Sequence, residues 1–135
     1  MEITKEVANK LWRDVFGETV VWATDCFGAW IYRDDYGKFD IARNRPNGDG
    51  KDYSYGWSID HIMPVAKGGK DEWNNFEPMH IENIRSKSDD ISFKINDAGY
   101  QVIKCNLSPS YGYGIIELKT GLRVDWKGKQ ERWYR

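Results

Sequence analysis

Asp60 and His61 are neighbours in the run Trp57-Ser58-Ile59-Asp60-His61-Ile62-Met63-Pro64. A carboxylate is a hard oxygen ligand suited to Mg²⁺ or Mn²⁺. A neutral imidazole beside it can take a proton from water near pH 7. On a regular strand, neighbouring side chains point to opposite faces, so both reach one point only where the strand ends or bends. Pro64 and the Gly68-Gly69 pair supply that end. A third polar group must come from elsewhere, and the polar segment that follows offers His80, Glu82 and Asn83.

The elements around this run are legible from periodicity. Val7, Ala8, Leu11, Trp12 and Val15 recur at helical spacing, which predicts a helix over 4–16 with Thr4 as its N-cap and Gly17 as its stop. Segments 19–23 and 29–32 are rich in β-branched and aromatic residues, and Asp25 to Gly28 between them predict a hairpin. From Arg33 to Ser54 the chain is polar and Gly-rich and reads as a long loop, clearest at 44–50. Trp57 to Ile62 reads as a buried strand, 76–79 as a short extended piece and 81–90 as a polar helix. Strands are then expected at 100–105, 114–118 and 122–126, with Thr120-Gly121 as a turn. The sum is one α+β domain over 1–135, with its core motif at about 53–90 and a β extension at about 97–135.

Composition bounds the rest. The chain has 135 residues, enough for one domain that buries about two-thirds of its unfolded surface without a disulfide or structural metal. Seven Trp and eight Tyr argue against disorder. The net charge of −1 gives no overall sign of nucleic-acid binding, so any such role rests on local chemistry. Cys26 and Cys105 form no CxxC pair, which excludes a Cys-based zinc motif and favours two reduced, buried thiols. No run is apolar enough for a membrane span or a signal peptide, so the expected location is the cytoplasm.

The ordered set Ile59-Asp60-His61-Ile62, Pro64, Gly68-Gly69, Asp71, Asn75, Pro78, Asn83 and Lys87 resembles the HNH endonucleases over roughly 53–90. The resemblance implies a ββα-metal core, here with an N-terminal helix and flanking β-hairpins. It implies that Asp60 is a metal ligand, that His61 is the general base activating water, and that Asn75 holds the loop and orients the histidine. It implies a divalent metal, Mg²⁺ foremost with Mn²⁺ or Zn²⁺ as alternatives, and DNA as substrate with RNA also open. Asn83 is the expected last ligand, with His80, Glu82 and Lys87 as auxiliary residues. One position departs from the family. The last ligand usually falls about nine residues after the central Asn, three before a Lys. That slot here is Ile84, and Asn83 lies about 100° away around a helix.

The C-terminal stretch mixes basic and aromatic residues, and Lys127, Lys129 and Arg132 there are candidates for nucleic-acid contact. Three functions compete. The first is a metal-dependent DNA endonuclease of phage, mobile-element or defence origin. The second is a catalytically weakened module that binds nucleic acid or a protein partner, which Ile84 favours. The third is a nuclease toxin domain. Oligomeric state is not encoded in any motif.

Overall fold

The computed structural model describes residues 2–105 and 112–128. The first helix forms as α1, Lys5–Phe16, with Ala8, Leu11 and Trp12 buried along one side. Thr4 caps it by accepting from Val7 N–H at 3.2 Å, which satisfies one of the donors a helix start leaves unpaired. Gly17 ends it at φ 104°, and its N–H donates to Arg13 O.

Asp25 organises the expected hairpin, β1 (Trp22–Thr24) against β2 (Trp30–Tyr32). Its Oδ1 accepts from Phe27 N–H and Ala29 N–H, each at 3.0 Å, so a short side chain does the work of a backbone carbonyl.

The stretch 33–54 is not one loop. It contains a second hairpin, β3 (Ala42–Asn44) with β4 (Asp52–Ser54). The polar run around Asn47-Gly48 is its tip, where Asn47 takes φ 59°. Most positions of these short strands face solvent, so they carry no apolar alternation to read. Arg43 ties the hairpin down by gripping the buried carboxylate of Asp35 with two bonds of 2.8 and 2.9 Å.

β5 (Trp57–His61) pairs antiparallel with β6 (Phe76–His80), with Trp57 opposite His80 and His61 opposite Phe76. The helix α2 (Ile81–Lys87) follows β6 with no connecting residue. β6 is buried at all five positions. Successive strand residues point to opposite faces, so Phe76 joins a cluster with Leu11, Trp12, Ile31 and Trp57, and Met79 joins another with Ile62, Phe93, Val102 and Ile115.

A three-stranded antiparallel sheet completes the described chain, in the order β7 (Ser92–Ile95), β8 (Ala98–Cys105), β9 (Gly112–Glu117). β7 was not expected; Phe93 and Ile95 alternate inward as in a half-buried strand, but the run has only four residues and follows a charged stretch. The strand expected over 122–126 does not form. One bridge, Ile116 to Arg123, links that stretch to β9 through the backbone bonds Glu117 N–H to Leu122 O and Val124 N–H to Ile115 O. Beyond it the buried Asp125 side chain accepts from Ile115 N–H and from the Arg123 guanidinium, and the ladder ends. The turn at Gly121 is present, at φ 70°.

The architecture is therefore α+β, with few helices and small sheets. Cys26 and Cys105 are half-buried and are not joined in a disulfide. Among the described residues, no helix is long and apolar enough to cross a membrane.

Candidate active site

β5 ends at His61, as expected, and the chain then folds back on itself through two one-turn 3-10 helices, Val65–Lys67 and Trp73–Asn75. Asn75 closes this loop from inside, only 2 % exposed. Its Oδ1 accepts from Met63 N–H at 2.9 Å, and its Nδ2 donates to Met63 O at 3.1 Å and Lys70 O at 3.0 Å. Its backbone carbonyl accepts from Ile62 N–H at 2.8 Å. One amide thus satisfies three backbone groups that the irregular loop would otherwise leave unpaired. Gly69 makes the approach possible, since any Cβ there would overlap the Met63 carbonyl oxygen.

The loop brings Asp71 to His61, with Nε2 and Oδ1 2.5 Å apart. A carboxylate only accepts, so in the neutral ring this contact places the proton on Nε2 and leaves Nδ1 as the basic nitrogen. The ring also packs edge-on against Phe76, centroids 5.6 Å apart. His61 keeps 23 % of its side-chain surface exposed, which leaves it reachable from solvent.

Asp60 behaves differently. It is buried, and its Oδ2 has no hydrogen-bond partner among the described residues. Lys87 Nζ stands 3.0 Å from that oxygen and forms a buried ion pair with it. The Lys87 ammonium also donates to His61 O, at 3.0 Å. Burial pushes the Asp60 carboxyl up to about 6, against the opposing pull of Lys87 and His61, and Asp89 adds to the rise. Asp60 and His61 share a cavity of about 260 Å³ with Ile84, Ser88 and Asp89. The exposed Asp89 was not singled out from the sequence. It lies just beyond α2, and nothing in residue spacing says that the chain turns it toward Asp60.

The other expected residues sit elsewhere. Asn83 is buried and its Nδ2 donates to Asp25 Oδ2 at 2.9 Å. It faces a different cavity from the one that holds Asp60 and His61. His80 caps α2: Nδ1 accepts from Glu82 N–H at 3.1 Å, and Nε2 donates to Ser54 O at 2.9 Å. Both ring nitrogens are thereby committed, and its backbone N–H donates to Asp25 Oδ2 at 3.0 Å. Glu82 is exposed beside Asn83. Asp25, read only as a turn residue, is thus the buried anchor for both His80 and Asn83.

Lys127 corrects an expectation. It was expected to reach outward to nucleic acid, yet it donates to Asn74 O and to Tyr113 O, and burial lowers its pKa. It clamps the turn beside Asn75 instead of joining an exposed basic surface. Lys129 and Arg132 lie outside the described residues.

Residues 47–90 match the family model for the HNH endonuclease. The match begins in the β3–β4 turn, runs through β5, β6 and α2, and takes in Asp60, His61, Asn75 and Lys87. It places this segment in the HNH endonuclease family, as the residue pattern led us to expect. Ile84 and Asp89 line the same cavity as Asp60 and His61. No curated protein and no solved structure matches the chain.

Proposed function

We propose that this chain is a divalent-metal-dependent endonuclease that hydrolyses phosphodiester bonds of DNA, with His61 as the general base. One observation carries the reading. A buried carboxylate oxygen with no hydrogen-bond partner, Asp60 Oδ2, shares a cavity with an imidazole oriented by a second carboxylate. Lys87 supplies one positive charge to this carboxylate, and a divalent cation between Asp60 and Asp89 is a second that fits the cavity.

The donor set suits a hard divalent ion. Asp60 and Asp89 supply oxygen, and no sulfur lines the cavity. In this reading Asp60 is the ligand from β5, Asp89 replaces the residue lost at Ile84, and Asn83 is structural. When bound, the metal supplies Lewis-acid stabilisation of the charge growing on the phosphate and on the leaving 3′ oxygen. The protein's own residues do the rest. His61 Nδ1 takes the proton from the attacking water while Asp71 holds the ring and stabilises its charged form. Asn75 fixes the loop that carries Asp71 towards the ring. Lys87 holds the end of β5 through His61 O. The products carry a 5′-phosphate and a 3′-hydroxyl.

A second reading has its own observation. Ile84 lines the cavity at the slot where the family carries a ligand. No group of three His, Cys, Asp or Glu is placed to hold a metal among the described residues. This favours a weakened module that binds nucleic acid or a protein partner without cutting. Incubating linear duplex DNA with the protein in Mg²⁺, in Mn²⁺ and in EDTA separates the two. The nuclease reading expects metal-dependent cleavage that His61→Ala abolishes. The module reading expects a mobility shift with no cleavage in any metal.

A further inference from the structure

A larger cavity, about 490 Å³, opens near the start of β5, between the two hairpins and α2. Its size falls in the range of small-ligand sites, roughly 300–1,000 Å³. Trp30 and Tyr53 line it and are 38 % and 46 % exposed, high for large aromatic residues. The Arg45 guanidinium lies over the Trp30 ring, 4.0 Å from its centre. Tyr53 is held by its hydroxyl, which donates to Asp49 Oδ2 at 2.5 Å. Flat faces held in place beside a stacked guanidinium suit a planar aromatic ligand.

The polar side of the cavity is rich in acceptors. Asn83 lines it with one Nδ2 hydrogen committed to Asp25. The Glu82 carboxylate beside it is exposed and, when ionised, can only accept. Acceptors at that edge match an exocyclic amino group and disfavour a carbonyl in the same place.

We propose that this cleft binds an unpaired, amino-bearing nucleobase of the DNA strand, cytosine before thymine. The base stacks on Tyr53 and on the Arg45 guanidinium that Trp30 supports, and its amino group is read by Glu82. This inference rests on the nucleic-acid reading of the HNH segment. It adds a recognition point distinct from the Asp60–His61 cavity. From Tyr55 to His61 the extended chain covers about 20 Å at ~3.3 Å per residue. That corresponds to about six nucleotides at the 3.4 Å rise of one strand.

Fluorescence anisotropy in EDTA, with labelled oligo(dC) and oligo(dT) twelve-mers and a blunt duplex, tests it without cleavage. The parent should bind oligo(dC) more tightly than oligo(dT). Trp30→Ala and Tyr53→Ala should each weaken oligo(dC) binding about tenfold, the scale of one lost stacking contact. Glu82→Ala should narrow the gap between the two oligonucleotides. Photo-cross-linking of a 5-iododeoxycytidine oligonucleotide gives a second readout on the parent itself and should label Trp30 or Tyr53. Equal binding of the two oligonucleotides overturns the proposal, as do variants that bind like the parent or adducts outside the cleft. If the duplex is still cleaved in Mg²⁺, the cleft alone is wrong. If the parent neither binds nor cleaves any DNA, the nuclease reading falls with it.

Discussion

Lys87 Nζ lies 3.0 Å from Asp60 Oδ2, and the two side chains are 0 % and 8 % exposed. The last residue of α2 is thus pinned to the end of β5, where the proposed metal ligand sits. A buried charge pair of this kind is costly to form and costlier to break, because removing one partner strands the other.

The pair makes the protein's response to pH depend on metal. Burial raises the Asp60 carboxyl in the folded state from 3.8 to about 6. The folded state therefore holds this proton more firmly than the unfolded chain. The stability Asp60 contributes is fully present below about pH 4 and is lost as pH rises through about 6. For this group alone, metal-free protein should gain stability between pH 7 and pH 5. Metal binding has the opposite sign, since it needs the carboxylate. Thermal melts with and without Mg²⁺ at the two pH values check both. The Mg²⁺-induced rise in Tm should be large at pH 7 and small at pH 5. In Lys87→Met the carboxyl should titrate higher still, and stability at pH 7 should fall by about 3 kcal/mol. An equal Mg²⁺ effect at both pH values, in a protein where Asp60→Asn changes nothing, counts against Asp60 as ligand.

Asp71 should matter to rate and not to fold. It is 52 % exposed, so its removal strands no buried group. Asp71→Asn weakens the acceptor that pins the Nε2–H form of His61, and single-turnover cleavage should slow at least about tenfold, as for other residues that orient a reactive histidine. Tm should move little. A parent-like rate in Asp71→Asn would show that the contact does not serve the base.

Asn75→Ala should damage the fold itself. Three hydrogen bonds to Met63 and Lys70 are lost together, each net worth about 1 kcal/mol. Urea unfolding should report a loss of about 3 kcal/mol, with activity falling in parallel. The resemblance to the HNH endonucleases named Asn75 as the residue that holds this loop. Gly69 was read only as part of the strand's end, and its need to lack a Cβ beside Met63 O shows only in the folded chain. The end of β5 at His61 was legible in the sequence, with Pro64 and two glycines close behind. Thr4, Gly17 and Asp25 mark their helix and hairpin through local backbone bonds that reach four residues or fewer.

Less was legible where a side chain's direction depends on distant partners. Spacing puts Asn83 one residue from the family slot but cannot say which way it faces. Asp25, 58 residues earlier, turns it into a separate cavity. Asp89 enters the Asp60–His61 cavity because the chain bends at Ser88, which takes φ 51°. The strand expected at 122–126 stops after one bridge because the Asp125 carboxylate takes the Ile115 N–H that the next ladder bond would use. The β3–β4 hairpin is held by Arg43 on Asp35, an ion pair invisible to periodicity.

The two candidate ligands can be separated by opposite outcomes. Asn83→Ala leaves Asp25 Oδ2 short of a partner in a buried place and should lower stability by about 1–3 kcal/mol while leaving Mg²⁺ affinity unchanged. Asp89→Ala removes an exposed carboxylate and should leave Tm alone while weakening Mg²⁺ binding and cleavage together. Titration calorimetry with Mg²⁺ on both variants decides. The reverse pattern would return the last ligand to Asn83.

The most direct test of the central claim is single-turnover cleavage of a 5′-labelled DNA duplex by the parent and by His61→Ala, in Mg²⁺ and in EDTA. The parent should cut in Mg²⁺ and not in EDTA, leaving 5′-phosphate and 3′-hydroxyl ends. His61→Ala should melt like the parent and cut at least about 10²-fold more slowly, the usual scale for loss of a general base. A His61→Ala protein that cuts as fast as the parent, or a parent that cuts equally well in EDTA, would contradict the assignment of this cavity as a metal-dependent nuclease site.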